Sequence, residues 1–309
     1  MLALDKRTEK VKRRDAWRLI FLACYTAVTN GYVKGFATGT IFTGGSKRLC
    51  LPGLNCYSCP GALGACPIGS LQATLGSRHY RFAFYVTGTL MIFGAFLGRV
   101  VCGFLCPFGL VQELLHKIPF PRKRRSLPGE KYLRYLRYAV LAVLVLLLPL
   151  TVRDVTGAGS PWFCKYVCPS GTLLGGIPNV LLNPSLRGAI GFLFSWKVLV
   201  LAAVALSSVI LFRPFCRYLC PLGAIYGLFN KIALYRYRVN ADKCVSCGVC
   251  QKTCHFDIKV WQNPNSVDCI RCGNCRAACP KGAIEVLNPL HPGEKTAAAE
   301  LTQKGTREK

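Results

Sequence analysis

The stretch Cys102-Gly-Phe-Leu-Cys106-Pro-Phe-Gly109 sets a pattern, C-x3-C-P-x-G, that returns from Cys164 to Gly171 and from Cys216 to Gly223. An altered copy closes at Cys66-Pro-Ile-Gly69. Each copy stands beside a long apolar run, so pairs of thiols are set repeatedly at the ends of segments suited to membrane helices. Two cysteines four apart share a helix face, and Pro just inside a new helix forfeits no backbone hydrogen bond. The positive end of that helix also favours a thiolate. Such a pair supplies half the ligands of a cubane iron-sulfur cluster, and a second pair must supply the rest. Buried apolar thiols or a disulfide are the alternative reading. The regular repetition argues against it.

Composition narrows the class. Of 309 residues, 52% are hydrophobic and 19 are cysteine, with a mean hydropathy of +0.33. That points to a membrane protein carrying metal clusters. A formal charge of +27 would suit a nucleic-acid binder. The basic residues cluster beside apolar spans, however, where they orient helices and attract anionic lipid heads, so no nucleic-acid partner is expected. The apolar run after Lys6, Arg7, Lys10, Lys12, Arg13 and Arg14 shows no small-residue cleavage site, and a retained anchor is expected.

The expected fold is an all-α membrane protein of about four transmembrane helices, with cysteine-bearing helix ends and a C-terminal ferredoxin module of α+β type. The spans are placed at 16–35, 82–101, 138–152 (extendable back through Tyr132 and Leu133) and 189–212, within a membrane domain of 16–238. A basic N-terminus, 1–15, precedes it; the ferredoxin module, 239–288, and a disordered polar tail, 289–309, follow. Residues Thr172 to Leu182 are apolar but broken by Gly175, Gly176 and Pro178, which suits a re-entrant segment. Lys197 falls inside the fourth span, where a charge is a functional candidate.

Four spans put both termini on one side. The basic N-terminus, and Arg122 to Arg134 in the middle loop, place that side in the cytoplasm of an inner-membrane protein. Parity then sorts the thiols. Cys102, Cys106, Cys216 and Cys220 fall at inner ends and make one set of four. Cys59, Cys66, Cys164 and Cys168 fall at outer ends, with Cys56 the alternative to Cys59. Cys59 is preferred because it precedes Pro60, as the other ligands precede Pro; Cys50 and Cys24 are not expected to be ligands.

From Lys243 the chain turns polar and dense in cysteine, reading Cys244-x2-Cys247-x2-Cys250-x3-Cys254 and then Cys269-x2-Cys272-x2-Cys275-x3-Cys279-Pro280. This is the bacterial two-cluster ferredoxin run, in which the fourth Cys of each run serves the other cluster. One centre is therefore Cys244, Cys247, Cys250 and Cys279, and the other Cys269, Cys272, Cys275 and Cys254. About four 4Fe-4S clusters are expected in all.

With these motifs together, the chain resembles the NapH/NosR type of membrane-bound polyferredoxin over residues 17–287. The resemblance implies electron transfer between a cytoplasmic donor or quinol and an outer-face redox partner, flavin-bearing in some cases. It carries onto Cys102, Cys106, Cys216, Cys220 and the eight ferredoxin cysteines. The additional cysteines, Cys50 to Cys66 and the pair Cys164 and Cys168, make transmembrane passage the leading expectation. A one-sided quinol dehydrogenase subunit, with Lys197 or His116 at a quinone head group, is the second reading. A redox-sensing or regulatory iron-sulfur protein is the third. No apparatus for bond chemistry is visible, so the expected role is an electron-transfer subunit of an oxidoreductase system.

Overall fold

The computed structural model describes residues 2–77, 84–154, 158–188 and 190–287, with side chains from residue 7 onward. The expected tail 289–309, His79, residues 82 and 83 at the head of the second span and Ala189 at the head of the fourth lie outside these residues.

The structure is mostly helical. Two helices are long and apolar enough to cross a bilayer, Glu130–Thr151 (22 residues) and Phe192–Ile210 (19 residues). They correspond to the third and fourth expected spans. At 1.5 Å per residue the shorter runs for about 28 Å, close to the hydrocarbon thickness. The first expected span, 16–35, lies only in part on a longer helix, Leu2–Thr29, whose first half is strongly basic; the chain breaks after Thr29 and resumes as Val33–Thr38. The second is a shorter apolar helix, Phe84–Leu97. It stops because Gly98 turns left-handed, with φ 56°, and any Cβ there would meet Asn230 Oδ1 at 2.6 Å.

The cysteine motifs fold locally as their prolines require. Cys66, Cys106, Cys168 and Cys220 are each extended N-caps, and the following Pro opens a new helix. A residue before Pro is steered out of the helical region, which fixes that break. The paired cysteines therefore straddle two short helices instead of sharing one turn. Cys102 lies in Val100–Phe104, Cys164 in Trp162–Tyr166 and Cys216 in Pro214–Tyr218, each helix ending before its second cysteine. The Gly171 and Gly223 N–H groups donate to Cys168 Sγ and Cys220 Sγ, both at 3.4 Å. These are the helix-end contacts that favour a thiolate. After Cys168 the expected broken segment is helical, through a wide turn at Thr172–Gly176 into Ile177–Leu182.

The ferredoxin module closes with strand β1, Arg236–Val239, antiparallel to β2, Ile284–Leu287, in the register Arg236↔Leu287 to Val239↔Ile284. Between them, helices Val249–Thr253 and Asn274–Ala278 each start from a left-handed glycine, Gly248 and Gly273. The module does not hang free. Asn230 donates to the Ser266 and Cys269 carbonyls at 2.9 Å, and Arg271 donates to the Leu97 carbonyl at 3.1 Å. Gly103 lies under the Ile270 carbonyl, and Gly227 lies under that of Val267. One apolar core runs from the Cys50–Cys66 loop through Phe108 and Phe215 to Ile270.

Candidate metal centres

Cys102, Cys106, Cys216 and Cys220 are all buried and stand within electrostatic reach of one another. Two wholly buried arginines flank them. Arg99 donates from Nη2 to the Cys216 carbonyl at 2.8 Å, and Arg213 donates from Nη1 to that of Cys102. A buried guanidinium without a partner would be costly. Glu113 pairs with Arg213 at 2.8 Å and with Arg18 at 2.7 Å, and Asp268 pairs with Arg99 at 3.4 Å.

A second set surrounds a cavity of about 540 Å³ lined by Cys56, Cys66, Cys164, Cys168, Asn55 and Lys197. The structure brings Cys56 to this cavity, not Cys59. The Cys59 thiol is buried and turned toward Asn30 Oδ1 at 3.7 Å. The Pro60 rule that favoured Cys59 does not select the residue facing the other thiols, because Cys56-Tyr-Ser-Cys59 is a turn closed by Cys59 N–H donating to the Cys56 carbonyl. Gly175, in the wide turn, lies against Cys56, where a Cβ would come within 3.2 Å of Sγ. Cys50 sits apart in a bridge to Ala65, and Cys24 is exposed.

In the ferredoxin module, Cys244, Cys247, Cys250 and Cys279 line one small cavity with Trp261. Cys247 is exposed, whereas Cys275 is buried. Cys254, Cys269, Cys272 and Cys275 form the other group and act on one another electrostatically. Both groupings follow the crossed pairing of the two runs. Burial pushes the Cys269 thiol up to about 12 and the Cys272 thiol up to about 11. Thiolates there need a metal's positive charge beside them.

The residues present fit cubane clusters. Asn55 is 1% exposed, and neither its Nδ2 nor its Oδ1 has a hydrogen-bond partner. A buried amide left this way has a place only if something polar occupies the cavity it lines. Among the described residues no three His, Cys, Asp or Glu groups lie close enough for a single metal ion. A cubane holds its four sulfur ligands farther apart than a mononuclear site does.

The sets follow one another in space. Arg99 spans the first junction, donating to the Val267 carbonyl at 2.9 Å beside the run that starts at Cys269, and to the Cys216 carbonyl. At the second junction the Cys50–Cys66 loop packs on the Cys106 motif, with Gly53 against the Leu105 carbonyl and the Cys106 Cα. The next two residues, Leu54 and Asn55, line the cavity of the second set. The two sets expected at opposite membrane ends thus meet across this one loop.

Lys197 lines the cavity of the second set. His116 instead packs on Phe212, with ring centres 5.6 Å apart, and on the Ser208 carbonyl at 3.1 Å. Ser208 is eleven residues beyond Lys197 on the helix Phe192–Ile210, about 16 Å along it. The two quinone candidates do not share a site. Sequence reasoning missed Gln72 and Gln112. Gln72 donates to Cys164 Sγ at 3.3 Å and accepts from Phe163 N–H at 3.0 Å. Gln112 donates to Cys216 Sγ at 3.2 Å and accepts from Phe215 N–H at 3.2 Å. Their signal lay in a shared position six residues after Cys66 and Cys106.

Comparison with known proteins agrees with this chemistry. A family described as a 4Fe-4S binding domain matches residues 82–128, 138–180 and 192–239, and another 4Fe-4S binding domain matches 265–285. An uncharacterized protein of Methanocaldococcus jannaschii is 30% identical over 69% of this chain and 80% of its own length. The methylamine utilization ferredoxin-type protein MauN of Paracoccus denitrificans is 29% identical over 51% of this chain and 48% of its own. The regulatory protein NosR of Pseudomonas aeruginosa is 28% identical over 55% of this chain and 21% of its own. No solved structure gives a significant match.

Proposed function

The chain belongs to the membrane-type, NosR-like polyferredoxins that bind 4Fe-4S clusters, and from that premise we propose that it conducts electrons between a cytoplasmic donor and an outer-face redox partner. Four sites are proposed: the crossed ferredoxin sets, the inner set Cys102, Cys106, Cys216 and Cys220, and the outer set Cys56, Cys66, Cys164 and Cys168. Bound clusters would supply one-electron redox chemistry at each. The chain's own part is to hold the sets in file and to keep water from them.

The observation that carries this reading is the loop Gly53 to Asn55, which packs on the backbone of Cys106 in one membrane-domain set and lines the cavity of the other. A bilayer core of about 30 Å is far for an electron to cross without an intermediate stop. Two adjacent sets cannot mark its opposite faces, so here they act as successive stops along the path. The exposed Cys247 suits its set for the donor side, and the outer cavity, with Lys197 and Asn179 on its wall, suits the delivering side. In this arrangement the protein spans the membrane four times with both termini in the cytoplasm; the two helices long enough to cross and the basic middle loop support it.

The test uses sealed vesicles with a reduced donor outside the ferredoxin face and an impermeant acceptor on the other. Anaerobic protein is expected to hold about 16 iron atoms, four for each of about four clusters. Cys164→Ser with Cys168→Ser should remove about four of them and abolish reduction of the far-side acceptor, while the donor still reduces the remaining sets. Insertion is checked in parallel, since a lost cluster also removes folding energy. A double variant that inserts normally and reduces the far-side acceptor at the original rate would remove this set from the path, and wild-type protein that reduces no far-side acceptor would put the one-sided quinol reading in place of the transmembrane one.

A further inference from the structure

We propose that Gln72 and Gln112 are a matched pair of tuning residues, one for each membrane-domain cluster, each amide donating an N–H···S hydrogen bond that raises the reduction potential of the cluster its cysteine holds. The inference rests on the cluster assignment above and goes beyond it in naming what differs within each set.

Both side chains are almost wholly buried, at 0% and 1% exposure. A buried amide must be satisfied on both ends, and these two are satisfied in the same way. The oxygen accepts a backbone N–H from the residue before a ligand, Phe163 or Phe215. The nitrogen then points at the ligand itself, Cys164 Sγ at 3.3 Å or Cys216 Sγ at 3.2 Å. Anchoring one end to the backbone beside the cysteine fixes the donor's aim at the sulfur. Each nitrogen also lies near the carbonyl one turn back on its own helix, Ile68 or Phe108. That second contact cannot replace the sulfur, because the amide has two N–H groups.

The repetition in sequence makes the geometry a rule. Six residues after the Pro-preceding cysteine, the copies read Gln72 after Cys66 and Gln112 after Cys106, but Leu174 after Cys168 and Tyr226 after Cys220. Each set therefore combines one copy that carries the glutamine with one that lacks it, and the glutamine reaches across to the other copy's first cysteine. A set built from two glutamine-free copies would have no such donor. Hydrogen bonds to ligand sulfur stabilise the extra negative charge of the reduced state, so they move a potential upward. No proton or atom is transferred; the electron comes from the neighbouring reduced set and the amide changes only the energy of its arrival.

The measurement is a redox titration of the full-length anaerobic protein followed by low-temperature electron paramagnetic resonance, with iron content read in parallel. Gln72→Met keeps the side-chain length and removes the donor; it should lower one midpoint and leave the others. Gln112→Met should lower a different one, and the double variant should lower both. Leu174→Met, at the matching position of a glutamine-free copy, should shift none. In the wild type, nitrogen-15 labelling confined to the glutamine side-chain amide should give hyperfine coupling at two clusters, a readout that requires no variant to fold. Unshifted midpoints at full iron content, or no coupled glutamine nitrogen, overturn the proposal. Two single variants that lower the same midpoint overturn the pairing. Iron near eight atoms in the wild type, as two clusters would give, counts against the underlying cluster assignment instead.

Discussion

Gly53 leaves no room for a methyl group, since a Cβ there would come within 2.0 Å of the Leu105 carbonyl oxygen and 3.1 Å of the Cys106 Cα. Both neighbours are backbone, so neither can swing aside. Gly53→Ala is expected to cost about 1–3 kcal/mol by overpacking, read as a lower Tm, and to slow far-side acceptor reduction by separating the loop from Cys106. A second residue-scale outcome concerns the ligand choice. Cys56→Ser should lose about four iron atoms, whereas Cys59→Ser and Cys50→Ser should keep them. Equal iron loss from Cys56→Ser and Cys59→Ser would mean that the Asn30 contact does not describe the loaded protein. The ferredoxin groupings were legible in the spacing of their two runs, and the grouping of Cys102, Cys106, Cys216 and Cys220 in helix parity. Cys56 was not, because a Gly-rich loop encodes no period and the deciding contact comes from Gly175, far away in sequence. Asn55, Gln72 and Gln112 were hidden for a related reason: a single polar residue shows its role only when its partner is known.

At the scale of elements, the ferredoxin module is locked to the helices by charge. Asp268 accepts from Arg134 and Arg137 at 2.6 Å each and from Arg99 at 3.4 Å. Burial works against its charge, but the three arginines outweigh that and hold its carboxyl below the usual range. Asp268→Asn would leave Arg99 and Arg137 buried without their counter-charge, a loss of about 3–5 kcal/mol when one partner of such a pair is removed. The expected result is early release of the module, seen as faster proteolysis between residues 230 and 243 with the helical part intact. A variant as resistant as the wild type would show that the carbonyl contacts of Asn230 and Arg271 suffice. The Glu130–Thr151 and Phe192–Ile210 helices were readable from apolar length. What stayed hidden is how Arg134 and Arg137 lie on the former, since their charges mimic a loop until Asp268 and Glu130 are seen to pair with them. The halt at Gly98 was equally silent, since glycine in an apolar run does not announce a left-handed turn.

Taken whole, the molecule has a gradient of access. Cys247 is exposed and its companions Cys244, Cys250 and Cys279 are half-buried, while Cys102, Cys106, Cys216 and Cys220 are all sealed in the core. A wire is usually judged by what it carries, but this grading also determines how it corrodes. Dioxygen arriving from solvent meets the Cys247 set first, and the arginine-flanked inner set last. Exposure to air should therefore release iron in stages. The first stage is expected to plateau after about four of about 16 atoms, with the charge-transfer absorbance and the inner-set resonance signal preserved through it. Loss of all sets in a single phase would deny the gradient. If the stages are seen, the protein fails first at the set proposed to meet the donor and disconnects itself from the supply of electrons, which leaves the deeper sets with nothing to pass to oxygen.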